Sequence, residues 1–155
     1  MSRPASGPPI RLLIDNRKAR YEFHLNDSFE AGLALTGPEV KSLRMGNANL
    51  AEAWIRLDGK GAALVGCYIA PYAEAQRDNP EDPRRPRRLL LHIHELAKLK
   101  RGVRQKGMTV VPVKVYLKGS RIKLELALAK GKAQRDKRET VKARDAARDM
   151  RRPPR

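Results

Sequence analysis

Cysteine occurs once, at Cys67. No disulfide can therefore form within the chain, and a lone thiol suits a reducing compartment. Aromatic residues are scarce at 5%: Tyr21, Phe23, Phe29, Trp54, Tyr68, Tyr72 and Tyr116. Some of these rings must fill a core, which argues against a reader of unstacked single strands, since that needs several free stacking platforms. Apolar runs such as Ala62–Val65 and Leu89–Leu91 are too short for a bilayer span or a signal-peptide core. No stretch sets bulky apolar residues against basic ones at helical spacing, so an interfacial membrane anchor is excluded too. The expected location is cytoplasmic, with no membrane partner. Acids are also in short supply, 17 against 34 Lys and Arg, for a formal net charge of +17.

Catalysis finds little to stand on. The three histidines are His24, His92 and His94. The segment His92-Ile93-His94-Glu95 reads as the opening of a helix, where two histidines two apart point in different directions. No Cys/His cluster elsewhere completes a metal set, and no arrangement marks His24 as the partner of an acid–base pair. Cys67 lies among apolar neighbours and reads as a small core residue. A glycine-rich phosphate cradle ahead of a helix is missing, so nucleotide hydrolysis is unsupported. The expectation is no catalytic residue, no metal and no cofactor.

The charge that is present falls in two regions. Residues 130–155 carry a net +7, which leaves +10 on residues 1–129. Such a field draws in polyanions, of which nucleic acid is the commonest in a cell. Many cations with few free rings favour a folded RNA held by its phosphates, shape and ribose hydroxyls. DNA fits less well, because no helix displays a stripe of base-reading Arg, Asn and Gln. Within the body, Asn16-Arg17-Lys18-Ala19-Arg20 reads as a basic entry to the first strand, with a solvated loop as the bland alternative. Arg84-Arg85-Pro86-Arg87-Arg88 reads as the basic edge of an exposed loop spanning Ala70–Arg88, and Arg121 and Lys123 alternate with core residues and face outward.

Hydrophobic periodicity gives the architecture. Phe29–Leu35 alternates as a strand, and Thr36-Gly-Pro-Glu39 has capping-box spacing ahead of a short helix, Pro38–Met45. Trp54–Leu57 and Ala62–Ile69 flank Asp58-Gly59-Lys60-Gly61, a hairpin turn. Ile93, Leu96, Leu99 and Val103 recur at helical spacing up to Gly107. Val111, Val113, Val115 and Leu117 alternate into Lys118-Gly119-Ser120, and Ile122, Leu124, Leu126 and Leu128 alternate out of it. Pro112, on the outward face of that hairpin, suggests an edge or a bulge. The fold class expected is mainly β: a small antiparallel OB-fold-like barrel with two or three short helices. An open antiparallel sheet with helices on one face is the alternative.

Three segments are expected: a flexible start at residues 1–9, an OB-type RNA-binding barrel over 10–129, and a basic tail over 130–155. The tail lacks Leu, Ile, Phe, Trp and Tyr and cannot bury enough apolar surface to order itself. Yet between Gly131 and Pro153 it has neither glycine nor proline, and Glu139/Lys142, Asp145/Arg148 and Asp149/Arg152 are spaced to lace helical turns together. It reads as disordered alone and ready to become helical on a polyanionic surface.

In order along the chain stand Asn16-Arg-Lys-Ala-Arg20, Phe29-Glu-Ala-Gly-Leu-Ala-Leu35, Glu39-Val-Lys-Ser-Leu-Arg44, Gly46-Asn-Ala-Asn-Leu50, Arg88-Leu-Leu-Leu91, Gly107-Met-Thr-Val-Val-Pro112, Leu126-Ala-Leu-Ala-Lys-Gly-Lys132 and Asp136-Lys-Arg-Glu-Thr140. Together they closely resemble the SsrA-binding protein family (small protein B), the partner of transfer-messenger RNA (tmRNA) in bacterial ribosome rescue. The resemblance implies a non-catalytic adaptor, monomeric when free, whose barrel grips the tRNA-like domain of tmRNA. It further implies a tail that becomes helical in the vacant mRNA channel of a stalled small ribosomal subunit, near its decoding centre. The RNA-gripping positions it implies are Asn16, Glu30 and Lys123, supported by Arg17, Lys18, Arg20 and Tyr21. Many members have His where Tyr21 stands, so a stacking ring is kept and a chargeable imidazole lost. Lys130, Gly131, Lys132, Asp136, Lys137 and Arg138 would engage the ribosomal RNA. Composition alone leaves a competing reading, a structural ribosomal protein whose extension threads rRNA.

Overall fold

Alternation shapes the longest elements of the computed structural model, which describes residues 8–150. Most of the start expected to be flexible, and the last residues of the tail, lie outside the described residues. Strands β8 (Met108–Lys118) and β9 (Arg121–Gly131) pair antiparallel through a tight turn in which Gly119 takes φ 62°. That left-handed conformation suits a residue without a Cβ. Ile122, Leu124, Leu126 and Leu128 of β9 all point into the core, with Leu124 and Leu126 fully buried. Each such leucine contributes about 1.5–3 kcal/mol of burial.

Five further strands complete the main sheet: β1 (Ile10–Asp15), β2 (Phe23–Leu33), β4 (Trp54–Asp58), β5 (Gly61–Val65) and β7 (Arg87–Leu90). The sheet runs β1-β8-β9-β2-β7-β5-β4, all antiparallel, and curls until β4 lies against β8. The small strands β3 (Ala48–Asn49) and β6 (Tyr68–Ile69) pair beside it. The result is the expected small, mainly β barrel. Helices α1 (Arg17–Glu22), α2 (Gly37–Arg44), α3 (Ile93–Val103) and α4 (Gln134–Met150) decorate it. The spacing of Thr36 and Glu39 forms its capping box as predicted. Helix α3 packs so closely on the sheet that a Cβ at Gly102 would stand 2.5 Å from a methyl of Leu128. Among the described residues no helix is long and apolar enough to cross a membrane.

Several expectations are corrected. The first strand is β1, so Asn16–Arg20 is not a solvated entry loop but a capped helix between two strands. The strand expected over Ala62–Ile69 breaks at Gly66, and its second part pairs with β3. The register does shift next to Pro112, as a bulge requires, yet Pro112 is fully buried and its strand is interior. The bulge turns it beneath Asn16, whose amide covers its carbonyl. His92 and His94 do not diverge: their rings stack at 5.5 Å and 7°. His92 is the extended cap residue before the helix (φ −67°, ψ 149°), so helical spacing does not apply to the pair. Arg87 and Arg88 belong to β7 rather than to a loop, and Arg87 is fully buried. Strand β9 runs through Lys130 and Gly131, and Gln134–Met150 forms α4.

Candidate nucleic-acid interface

The outward face of β2, β9 and β8 carries the first cluster. Strand pairing sets Gly32 opposite Lys123 on one side and Leu90 on the other, with Glu30 one alternation away. The Tyr116 hydroxyl donates to Glu30 Oε2, and Lys118 Nζ lies 3.2 Å and 3.3 Å from the two carboxylate oxygens. The Tyr116 hydrogen bond, then Lys118 and Lys123, hold the Glu30 carboxyl below its ordinary range despite partial burial. Burial and Glu30 together push the Tyr116 phenol up. Glu30 is thus a fixed carboxylate inside a cationic frame.

Beside it opens a groove of about 650 Å³ between β2, β7, β9 and the start of α3. Lys60, Arg88, Arg121 and Lys123 supply its charge. Leu90 and Ile93, 57% and 88% exposed, give it apolar surface. Leu90 lies across Gly32, where a Cβ would meet it at 3.2 Å. Such a groove can meet phosphates with its rim, riboses or base faces with its leucine and isoleucine, and 2′-hydroxyl or amino donors with Glu30.

The second cluster sits at the other end of the β2–β9 strand pair. Asn16 starts α1: its Oδ1 accepts from the Ala19 amide at 3.3 Å, and its Nδ2 donates to the Pro112 carbonyl at 2.8 Å. Its own amide donates to the Val113 carbonyl at 2.8 Å. Arg17, Lys18 and Arg20 project from the short helix, with Arg20 donating to Asp15 at 2.9 Å. The root of the tail is fastened here. Lys130 and Gly131 pair with His24 and Phe23. The Lys132 amide donates to the Glu22 carbonyl at 2.8 Å and its Nζ to the Arg20 carbonyl at 3.0 Å. A lysine at the carbonyl end of a helix satisfies groups the helix itself leaves open. In the first turn of α4, Asp136 meets His24 at 3.1 Å, a contact that lowers the Asp136 pKa, and the Lys137 ammonium sits 5.8 Å from the centre of the Tyr21 ring. From Val141 to Arg148 every side chain is exposed.

Comparison with known proteins fits this arrangement. The SmpB protein family model matches residues 13–155. The chain belongs to the SmpB family. The SsrA-binding protein of Beijerinckia indica is 51% identical over 138 residues, 88% of this chain and 87% of that protein. That of Deinococcus radiodurans is 49% identical over 142 residues, 92% and 99% of the two chains. A solved chain from work on tmRNA-SmpB at the centre of the bacterial ribosome is similar at 42% identity and a TM-score of 0.66, covering 84% of this chain and 95% of that one.

The sites expected of an SmpB-family member sort themselves by place. Glu30 and Lys123 share the groove. Asn16, Arg17, Lys18, Arg20 and Tyr21 do not join them; they stand with Lys130, Gly131, Lys132, Asp136 and Lys137 at the tail root, and Arg138 is exposed on α4 nearby. Six residues of strand separate His24 from Glu30, roughly 20 Å. Asn16 is 6% exposed with both ends of its amide used internally, so it positions α1. Of the helical pairs expected in the tail, Asp145 and Arg148 approach to 3.9 Å, Glu139 instead meets Arg135 at 3.7 Å, and Asp149/Arg152 lies outside the described residues.

Sequence reasoning missed Leu90 and the inner role of the arginine run. Arg87 donates to Glu39 at 2.7 Å, to the Cys67 carbonyl at 2.5 Å and to the Pro83 carbonyl at 2.9 Å, and Arg85 reaches the other Glu39 oxygen at 2.5 Å. Burial raises the Glu39 pKa, but the hydrogen bonds from Arg85, the Thr36 amide and Arg87 prevail and leave it lowered. Cys67 is a core residue, 1% exposed, and burial pushes its thiol up to about 11. Among the described residues, no three His, Cys, Asp or Glu gather as a metal set would.

Proposed function

We propose that this chain is the RNA-binding adaptor of trans-translation: its barrel holds the tRNA-like domain of tmRNA and delivers it to stalled ribosomes for rescue and peptide tagging. The arm beyond β9 enters the vacant mRNA channel of the small subunit near the decoding centre. The observation that carries this reading is the placing of two cationic surfaces at opposite ends of the paired strands β2 and β9, one on the barrel wall and one at the root of a basic arm. One rigid body with two such ends can hold one RNA against another.

The groove around Glu30, Lys123, Arg88 and Leu90 is assigned to the tRNA-like domain. The cations of α1, expected to support that grip, stand instead with the tail root and face the ribosome, together with Tyr21, Lys130, Asp136, Lys137 and Arg138. From Val141 to Arg148 every side chain of α4 is exposed. Most helical stability in proteins comes from tertiary packing, which α4 has only in its first turn, so the arm gains lasting order on RNA. The protein needs no cofactor and performs no chemistry of its own; it works in the cytoplasm as a monomer until it meets its RNA.

A truncation that stops at Ala133 tests the division of labour while keeping β9 and the Lys132 fastening. It retains affinity for the tRNA-like domain and loses tagging on stalled ribosomes in a reconstituted translation assay. Loss of RNA affinity in the same truncation overturns the assignment of the grip to the barrel.

A further inference from the structure

The α1 end of the barrel exposes the chain's single tryptophan. Trp54 opens β4, where alternation turns its neighbour Ile55 into the core (8% exposed) and leaves Trp54 itself 51% exposed. An open cleft of about 300 Å³ lies between β4, α1 and β8. Trp54 stands at one side, Phe23 and Lys18 at the other, and buried Val111 and Pro112 at the base. Glu22 and Glu52 also border it.

Core packing does not call for this indole, because Ile55 already serves the core from β4. A flat aromatic face of this size, in a cleft with a lysine on the facing helix, is suited to a planar ring whose backbone is anionic. The two carboxylates are unsuited to phosphate but can accept from the amino group of a base.

We propose that Trp54 is a stacking platform for one unpaired nucleobase, with Lys18 meeting the phosphate that flanks it. The inference rests on the adaptor reading above and names a contact inside it. Because α1 shares this end with the root of the arm, the base belongs to the small-subunit ribosomal RNA and not to the tRNA-like domain.

The protein supplies its own probe, since all tryptophan emission comes from this position. The full chain is titrated at low salt with a decoding-region hairpin of small-subunit rRNA and, separately, with the tRNA-like domain of tmRNA; binding is followed by gel shift and stacking by fluorescence. The rRNA hairpin quenches the emission, and the tRNA-like domain binds without doing so. Trp54→Ala weakens hairpin binding roughly ten- to a hundred-fold, as the loss of one stacked base does. Its salt dependence stays unchanged, whereas Lys18→Ala lowers the salt slope by about one phosphate's share. Trp54→Phe, which keeps a ring, retains most of the affinity and guards against a folding artefact.

Hairpin binding with unaltered emission, or equal losses in the Phe and Ala variants, overturns the stacking role while the adaptor reading stands. Quenching by the tRNA-like domain alone overturns the assignment to ribosomal RNA. If neither RNA binds the wild-type chain, the adaptor reading itself fails.

Discussion

Removing Arg87 separates structure from RNA binding inside one run of arginines. The guanidinium is wholly buried and Glu39 is 3% exposed. Arg87→Ala takes away the partner of Glu39 Oε2 and strands the carbonyl of Cys67, while the Pro83 carbonyl keeps the Ile69 amide. Breaking a buried pair by deleting one side costs about 3–5 kcal/mol, because the remaining charge stays desolvated. Against a total stability of about 5–15 kcal/mol this is a large share. At about 2–4 °C per kcal/mol for a chain of this size, the melting temperature falls by about 6–20 °C. Arg85 still reaches Glu39 Oε1, which places the loss toward the lower end. Urea and thermal melts followed by circular dichroism measure it. Arg88→Ala, one residue on and exposed, melts like the wild type but weakens RNA binding and lowers its salt slope by about 0.7–0.9. An Arg87→Ala protein that melts within about 1 kcal/mol of wild type refutes the reasoning, since that is the range of a surface pair.

Three further outcomes follow from the same geometry. Glu30→Gln raises the net charge by one, so a pure field effect tightens RNA binding; weaker binding in a gel-shift titration is expected, because one of the two carboxylate acceptors held by Tyr116 and Lys118 becomes an amide donor. The double change Asp136→Ala with Lys137→Ala leaves the net charge unaltered but removes both the His24 contact and the ammonium over Tyr21; peptide tagging drops while affinity for the tRNA-like domain holds, and full tagging reduces the arm to a cationic tether. The carboxyls of Glu30 and Glu39 are both lowered from 4.5, so the stability they contribute is complete above that value and is lost as pH falls through their folded values. Melting temperatures taken from pH 7 down to pH 3 record that loss, and a Glu39→Gln chain shows a shallower decline.

Much of the barrel was legible because its strands obey simple alternation. Ile122, Leu124, Leu126 and Leu128 announce β9, and Thr36 with Glu39 announce α2, since both patterns are local. The misreadings share a cause. Asn16–Arg20 shows no helix in the sequence because six residues have too few turns to show a period, and Pro112, whose carbonyl takes the Asn16 amide, lies 96 positions away. Arg87 looked exposed because a charge is buried only with its counter-charge, and Glu39 is 48 positions distant. Leu90 and Trp54 looked like ordinary apolar residues; only the strand pairing shows that they face outward. The tail was legible as a helix former, but not its fastening to α1, which depends on β9 delivering Lys132 beside Glu22.

By itself, then, the sequence determined the fold class, the cationic character and the helix-forming arm, because composition, alternation and short-range spacing act between near neighbours. Tertiary structure alone decided which charges are free. It buried Arg87 against Glu39, turned the Asn16 amide inward, and parted Glu30 and Lys123 from the α1 cations by most of the length of the β2–β9 pair. Burial and the fate of each hydrogen-bonding group depend on residues brought together from far along the chain, and no local pattern encodes them.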